Sequence, residues 1–259
     1  TGSVPTGRKV AGAAASQLKH VTMELGGKSP LIVFADANLD NAVSGALMAN
    51  FYSAGEVCSN GTRVFVHRAI KAAFLEKLLA RTAKMVIGDP QDPATHVGAL
   101  ISRDHMQKVL TYIARGKAEG ARLLCGGEAV AEGSLAKGNF VSPAIFDQCS
   151  DQMVIVREEI FGPVVGIMKV SSDAEAITLM NDSPFGLTAA IWSEDPVAAH
   201  AIASQIETGT VFLNRCDYLD PALAWTGVKD TGRGVTLSSL GYEHLTRAKS
   251  YHFRLSTKD

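Results

Sequence analysis

Short apolar runs and helix-period segments alternate along most of this chain. The runs Leu31-Ile32-Val33-Phe34, Arg63-Val64-Phe65-Val66, Ala121 to Cys125, Leu187 to Trp192 and Thr210 to Leu213 are rich in large or β-branched apolar residues and predict strands. Between them, Leu39 to Phe51, Ile70 to Met85, Asp104 to Glu119, Asp173 to Asn181 and Ala198 to Gln205 predict helices. In the first of these, Ala42, Val43, Ala46, Leu47, Asn50 and Phe51 fall on one helical face, bounded by the capping candidates Asn38 and Asp40 and by Gly55. Strands alternating with helices imply an α/β protein with a parallel sheet and helical crossovers. Residues 86–97 and 126–140 read as surface loops. The chain is loop-rich beyond Asn214, and Thr246 to Leu255 predicts a polar-rich terminal strand.

The first residues, Thr1-Gly2-Ser3-Val4-Pro5-Thr6-Gly7, form a glycine-spaced loop before a helix-compatible stretch from Arg8 to Leu18. Such a turn can offer backbone N–H groups to a phosphate at the positive end of a helix, although a plain capped turn has the same spacing. No strand precedes it, so the chain is expected to begin within a domain.

Composition narrows the function classes. With 46% hydrophobic residues, a formal net charge of −1 and no stripe of Lys or Arg, nothing points to nucleic acid. No stretch approaches about 18 apolar residues and no basic-then-apolar leader opens the chain, so no membrane span is expected. The four cysteines, Cys58, Cys125, Cys149 and Cys216, are irregularly spaced and lack a zinc pattern, so no metal is expected. So few cysteines fit a reducing compartment, the cytosol or an organelle matrix, with a cytoplasmic location as the default.

Candidate chemistry sits in four segments. Glu24 lies in Glu24-Leu25-Gly26-Gly27-Lys28-Ser29-Pro30, and Cys58 follows in Gly55-Glu56-Val57-Cys58 after a strand and a helix able to return it to the same end of a sheet. Glu159-Ile160-Phe161-Gly162-Pro163 joins an acid and an aromatic ring to a rigid turn. Trp225 heads the glycine-punctuated stretch Gly227-Val228-Lys229-Asp230-Thr231-Gly232. Singly, each has a plain reading: a buried thiol, a solvated carboxylate, a core ring, a packing residue.

In this order the segments resemble the NAD(P)-dependent aldehyde dehydrogenases, whose hallmarks look like G-S-x-x-x-G, E-L-G-G-K-S-P, G-x-x-C, E-E-I-F-G-P-V and G-x-K-x-[ST]-G. Gly138-Asn-Phe-Val-Ser-Pro143 and Asn181-Asp-Ser-Pro-Phe-Gly-Leu187 add lesser echoes. The resemblance implies that Cys58 is the nucleophile, passing through a thiohemiacetal and a thioester, and that Glu24 activates the hydrolytic water. It implies that Glu159 and Phe161 hold the nicotinamide ribose and ring of NAD or NADP, with Leu25 and Gly26 beside them and Gly2, Ser3 and Gly7 beside the pyrophosphate. The Cys58 N–H would meet the oxyanion together with an Asn that the family carries in its N-terminal half. That half has no counterpart here, so the chain is expected to be the C-terminal portion of a longer enzyme.

The implied organisation is the end of a Rossmann-like cofactor domain over 1–26, a cysteine-bearing catalytic domain over 27–225, a return to the cofactor domain over 226–244 and an oligomerisation strand and tail over 245–259. Ser250 to Leu255 would then be an assembly edge of a homodimer or tetramer. Tyr52, Val57, Ser59 and Trp225 resemble the substrate-tunnel wall of members acting on betaine aldehyde and other amino aldehydes, where aromatic faces can hold a cation or an apolar aldehyde. Around the cysteine the chain departs from the common Q-G-Q-x-C form. The segment Arg215 to Pro221 departs as well, and its Asp217 and Asp220 read as exposed loop acids, with attraction of a cationic substrate as the functional alternative. Two rivals accompany aldehyde oxidation: transfer of the acyl group to a thiol such as coenzyme A, which Glu24 disfavours, and a fragment that only binds or assembles.

Overall fold

Leu31, Ile32, Val33, Val64, Phe65 and Val66 are wholly buried because their strands occupy the middle of a seven-stranded sheet covered on both faces. The computed structural model describes residues 1–256, and 257–259, the end of the segment read as a tail, lie outside the described residues. In chain order the elements are α1 (Val4–Ser16), β1 (Met23–Glu24), β2 (Pro30–Val33), α2 (Leu39–Phe51), β3 (Arg63–His67), α3 (Lys71–Thr82), α4 (Arg103–Ala118), β4 (Arg122–Cys125), β5 (Ala144–Asp147), α5 (Val154–Arg157), β6 (Val164–Val170), α6 (Asp173–Asn181), β7 (Phe185–Gly186), β8 (Thr188–Trp192), α7 (Pro196–Ala203), β9 (Thr210–Leu213), β10 (Val228–Lys229), β11 (Gly232–Arg233) and α8 (Ser238–His244). The large sheet has the order β4-β5-β6-β3-β2-β8-β9. Its neighbours run parallel except β4 and β5, which are antiparallel. Two short antiparallel ribbons stand apart, β1 with β11 and β7 with β10.

The expected strands and helices form within a few residues of their sequence positions, and α2 spans the expected residues. The first helix starts at Val4, earlier than the apolar pattern, because Ser3 caps it by accepting the Thr6 N–H and Pro5 fits its first turn. Strands β5 and β6 escaped the pattern: β5 is wholly buried and β6 buried but for Lys169, so neither shows the alternation of a half-exposed strand. The terminal strand over Thr246 to Leu255 does not form among the described residues. Tyr251, Phe253 and Leu255 are exposed there, with no strand pairing them among the described residues, and a strand needs a ladder partner to satisfy its backbone.

Two buried polar residues tie the sheet to the loops at its amino ends. Arg63 is 2% exposed and donates to the carbonyls of Lys28 at 2.8 Å, Leu179 at 2.9 Å and Met180 at 2.9 Å, joining the starts of β2 and β3 to the end of α6. The wholly buried Thr231 joins three motifs. Its hydroxyl donates to the Gly26 carbonyl at 2.8 Å and accepts the Gly186 N–H at 3.0 Å, and its own carbonyl accepts the Leu25 N–H at 2.8 Å.

Candidate active site

Three of the four segments that carry candidate chemistry enter a strand of the large sheet from its amino end. Glu24 to Ser29 leads into β2, Cys58 to Thr62 into β3, and Glu159 to Pro163 into β6. Open parallel sheets usually bind ligands beyond their carboxyl ends. Here the helical crossovers return the chain to the opposite end, and the chemistry collects there. A cleft of about 510 Å³ is lined by the expected Glu24, Gly26, Cys58, Glu159 and Phe161, by the expected Gly2, Ser3, Leu25 and Val57, and by His105, which was not among the expected residues.

The glycine pair makes this convergence possible. A Cβ on Gly26 would enter the Glu159 carboxylate, and one on Gly27 would strike the Cys58 carbonyl. The Gly27 N–H donates to Glu159 Oε1 at 3.0 Å. On the other side of the thiol, Gly55 adopts φ +76° and lies against the Gly162–Pro163 backbone, so the cysteine loop and the loop before β6 touch with no side chain between them. Asn60 closes the cysteine loop from within by donating to the Gly55 carbonyl at 2.8 Å.

Burial disfavours the charged forms of the titrating groups in this cleft. Burial pushes the Cys58 thiol up, and the carboxylates of Glu159, Asp217 and Glu24 push it further, so the thiol is protonated at neutral pH. Burial also raises Glu24, against donors from Thr236 Oγ1 at 3.2 Å and Trp225 Nε1 at 3.0 Å. Glu159 is raised by burial and lowered in part by the Gly27 N–H and the charge of Lys28. Lys28 itself is enclosed, and burial with repulsion from Arg63 lowers its ammonium to about 7.

Four expected residues lie outside the cleft lining. Gly7 is the buried residue of α1, where a Cβ would enter the Leu25 side chain, so it lets the helix pack closely on the residue that follows β1. Tyr52 is 59% exposed and borders a separate groove with Leu47, Met48 and Met85, because the chain turns through positive φ at Ser53 and Ala54. Ser59 follows Cys58 but is not in the lining, and its hydroxyl donates to Asp217. Trp225 borders a neighbouring cavity of about 440 Å³ with Tyr218, Leu223 and Leu237, while its indole N–H reaches Glu24.

Several site residues had no strong sequence signal. His105 Nε2–H donates to the Phe161 carbonyl at 2.6 Å and stands 3.5 Å from Glu56, bracing a Phe161 backbone held at φ +61°. The departure from the common form around the cysteine pointed to neither His105 nor Glu56. Thr236 carried no signal at all. Asp217 was read as an exposed loop acid, yet it is partly buried against Ser59, and burial raises its carboxyl.

A thiol, two carboxylates and an aromatic ring line one cleft of an α/β fold, the kind of lining an enzyme site presents. The chain belongs to the aldehyde dehydrogenase family, whose sequence profile matches residues 1–251. It is 48% identical over 252 residues to betaine aldehyde dehydrogenase of Sinorhizobium fredii, covering 97% of this chain and 52% of that protein. It is 47% identical over 259 residues to the Brucella melitensis protein of the same name, covering 100% of this chain and 53% of the relative. The solved structure of Staphylococcus aureus betaine aldehyde dehydrogenase in complex with NAD+ superposes with a TM-score of 0.91 at 37% identity, over 93% of this chain and 48% of that one. The chain therefore spans about half the length of the relatives it matches.

Proposed function

We propose that the protein to which this chain belongs oxidises an aldehyde to a carboxylate through a thioester on Cys58. The observation that carries this reading is the convergence of Cys58, Glu24, Glu159 and Phe161 on one cleft. Cys58 Sγ, once deprotonated, bonds to the aldehyde carbon and forms a thiohemiacetal. The Cys58 backbone N–H is the donor in this chain available to the developing oxyanion. After oxidation the carbon is a thioester, and water attacks it while Glu24 takes the proton and Sγ leaves.

The residues fit a nicotinamide cofactor. Gly26 leaves the Glu159 carboxylate uncovered within the cleft, able to accept from ribose hydroxyls, and Phe161 offers a ring beside it. Leu25 and the Gly2–Ser3 turn before α1 would flank the same group, with the helix end favouring phosphate. When bound, NAD or NADP supplies the two-electron acceptor and a positive ring charge that favours the thiolate.

The names of the relatives make betaine aldehyde the first substrate to test. The pairing of β1 with β11 supports a cofactor-side unit made from 1–26 and 226–244, packed beside the cysteine-bearing unit. In the tail, exposed Tyr251, Phe253 and Leu255 alternate along one side and support an assembly edge for a second copy.

The test is aldehyde-dependent formation of reduced nicotinamide, with mass analysis of Cys58 for an acyl adduct. Cys58→Ala is expected to abolish both. Glu24→Gln is expected to retain the acyl adduct and slow its hydrolysis by about 10² to 10⁴. Unimpaired turnover in Cys58→Ala refutes the reading.

A further inference from the structure

Glu24 is gripped from one side by a single structural unit. Trp225 and Thr236 face each other in an antiparallel bridge, with the Trp225 N–H on the Thr236 carbonyl at 2.8 Å and the Thr236 N–H on the Trp225 carbonyl at 2.9 Å. From this bridge the indole Nε1–H donates to Glu24 Oε2 at 3.0 Å and the Thr236 hydroxyl donates to Oε1 at 3.2 Å. Each carboxylate oxygen thus receives one donor. The bridge is itself anchored, since Thr226 Oγ1 donates to the Gly234 carbonyl at 2.7 Å, and β11 pairs Gly232 with Glu24. The backbone of Glu24 and the donors to its side chain therefore belong to one small ribbon.

A carboxylate with one donor on each oxygen is fixed in plane and in rotation, and each oxygen keeps a lone pair for another partner. Both donors also favour the ionised form, the form able to take a proton from water. Burial works in the other direction. A base in this cleft would drift toward the neutral acid without them.

We infer that Trp225 and Thr236 are positioning residues for Glu24, holding its carboxylate ionised and oriented toward the acyl group on Cys58. The inference rests on the proposed thioester chemistry for its consequence and on the hydrogen-bond geometry for its substance. It also gives Trp225 a different task from the tunnel wall implied by the family resemblance: its ring borders the neighbouring cavity, and its N–H serves the base. A purely packing Trp225 would need only the ring. A purely structural Thr236 would need only its backbone bridge and the longer contact of its hydroxyl with the Trp225 carbonyl, at 3.4 Å against 3.2 Å to Glu24.

Conservative variants separate these roles. Trp225→Phe keeps a ring and removes the N–H, Thr236→Val keeps the shape and removes the hydroxyl, and Thr236→Ser restores the hydroxyl. The first measurement is a carbon NMR titration of the whole chain labelled at glutamate carboxyls, with the Glu24 signal assigned by its loss in Glu24→Gln. Trp225→Phe and Thr236→Val are each expected to raise the Glu24 pKa by about 0.5 to 1 unit, and Thr236→Ser to return it to the parent value.

The second measurement uses p-nitrophenyl acetate, which needs no cofactor. The acetyl carbon bonds to Cys58 Sγ as its bond to nitrophenolate breaks; water then attacks the thioester, Glu24 takes its proton, and Sγ leaves with acetate formed. The initial burst of nitrophenolate is expected to persist in both variants. Steady-state hydrolysis is expected to slow about tenfold, with the rising limb of its pH profile displaced upward as Glu24 is displaced.

An unchanged Glu24 titration in Trp225→Phe and Thr236→Val overturns the inference. A burst that survives Cys58→Ala sinks the proposed acyl-enzyme instead and leaves the titration to decide the positioning. If Trp225→Phe fails to show a cooperative thermal transition, the Thr236→Val and Thr236→Ser pair decides alone.

Discussion

Arg63→Met is the most direct test of how the site is held. The guanidinium is 2% exposed and gives one hydrogen bond to each of three backbone carbonyls, those of Lys28, Leu179 and Met180, at 2.8 to 2.9 Å. Methionine fills similar space without strain but leaves all three carbonyls without this donor. An unsatisfied buried acceptor costs about 1 to 3 kcal/mol, so three would cost several; relief from burying one charge offsets part, leaving a loss of about 3 to 5 kcal/mol. Against a total stability of about 5 to 15 kcal/mol, that is a large fraction. Because the Lys28 carbonyl sits between the glycine pair and β2, the loss should also loosen the wall of the cleft. Equilibrium urea unfolding at pH 7 gives the first quantity, and the rate of Cys58 alkylation by iodoacetamide gives the second. A loss under about 1 kcal/mol with unchanged alkylation would refute the reasoning, since it would mean that water or other donors satisfy the carbonyls equally well.

Gly55→Ala is expected to destabilise by about 1 to 3 kcal/mol and to disturb the nucleophile, because Gly55 holds φ +76° against the Gly162 backbone; thermal melts and Cys58 alkylation check both. Glu159→Gln is expected to weaken nicotinamide cofactor binding by about tenfold while leaving cofactor-independent acylation of Cys58 by p-nitrophenyl acetate in place, which calorimetry and the nitrophenolate burst separate. Lys28 supplies a pH test. Its folded pKa of about 7 lies below the ordinary lysine value, so above pH 7 the unfolded chain binds the extra proton and this group makes stability rise with pH. From pH 7 to 8.5 the parent should gain up to about 2 kcal/mol relative to Lys28→Met, by urea unfolding; parallel curves would show that Lys28 is not depressed.

The alternation of apolar runs and helical segments was enough to give the α/β class, the central strands and the long helices, because each buried strand and amphipathic helix carries its own local pattern. Strands β5 and β6 were less legible: a continuous buried run has no periodicity to separate it from a helix. The tail erred the other way: Thr246 to Leu255 reads as a strand, yet none forms there among the described residues.

The sequence by itself was enough for the family and for the candidates Cys58, Glu24, Glu159 and Phe161, because each is a particular functional group set among small residues that allow close approach. Tertiary structure alone decided that these segments meet at the amino ends of β2, β3 and β6, and that Trp225 and Thr236 hold Glu24. It decided that Asp217 is partly buried behind Ser59 and that His105 braces Phe161. Those contacts join residues between about 56 and 212 positions apart. Their energies arise from burial and hydrogen-bond geometry after the chain has folded, so no local stretch of sequence carries them.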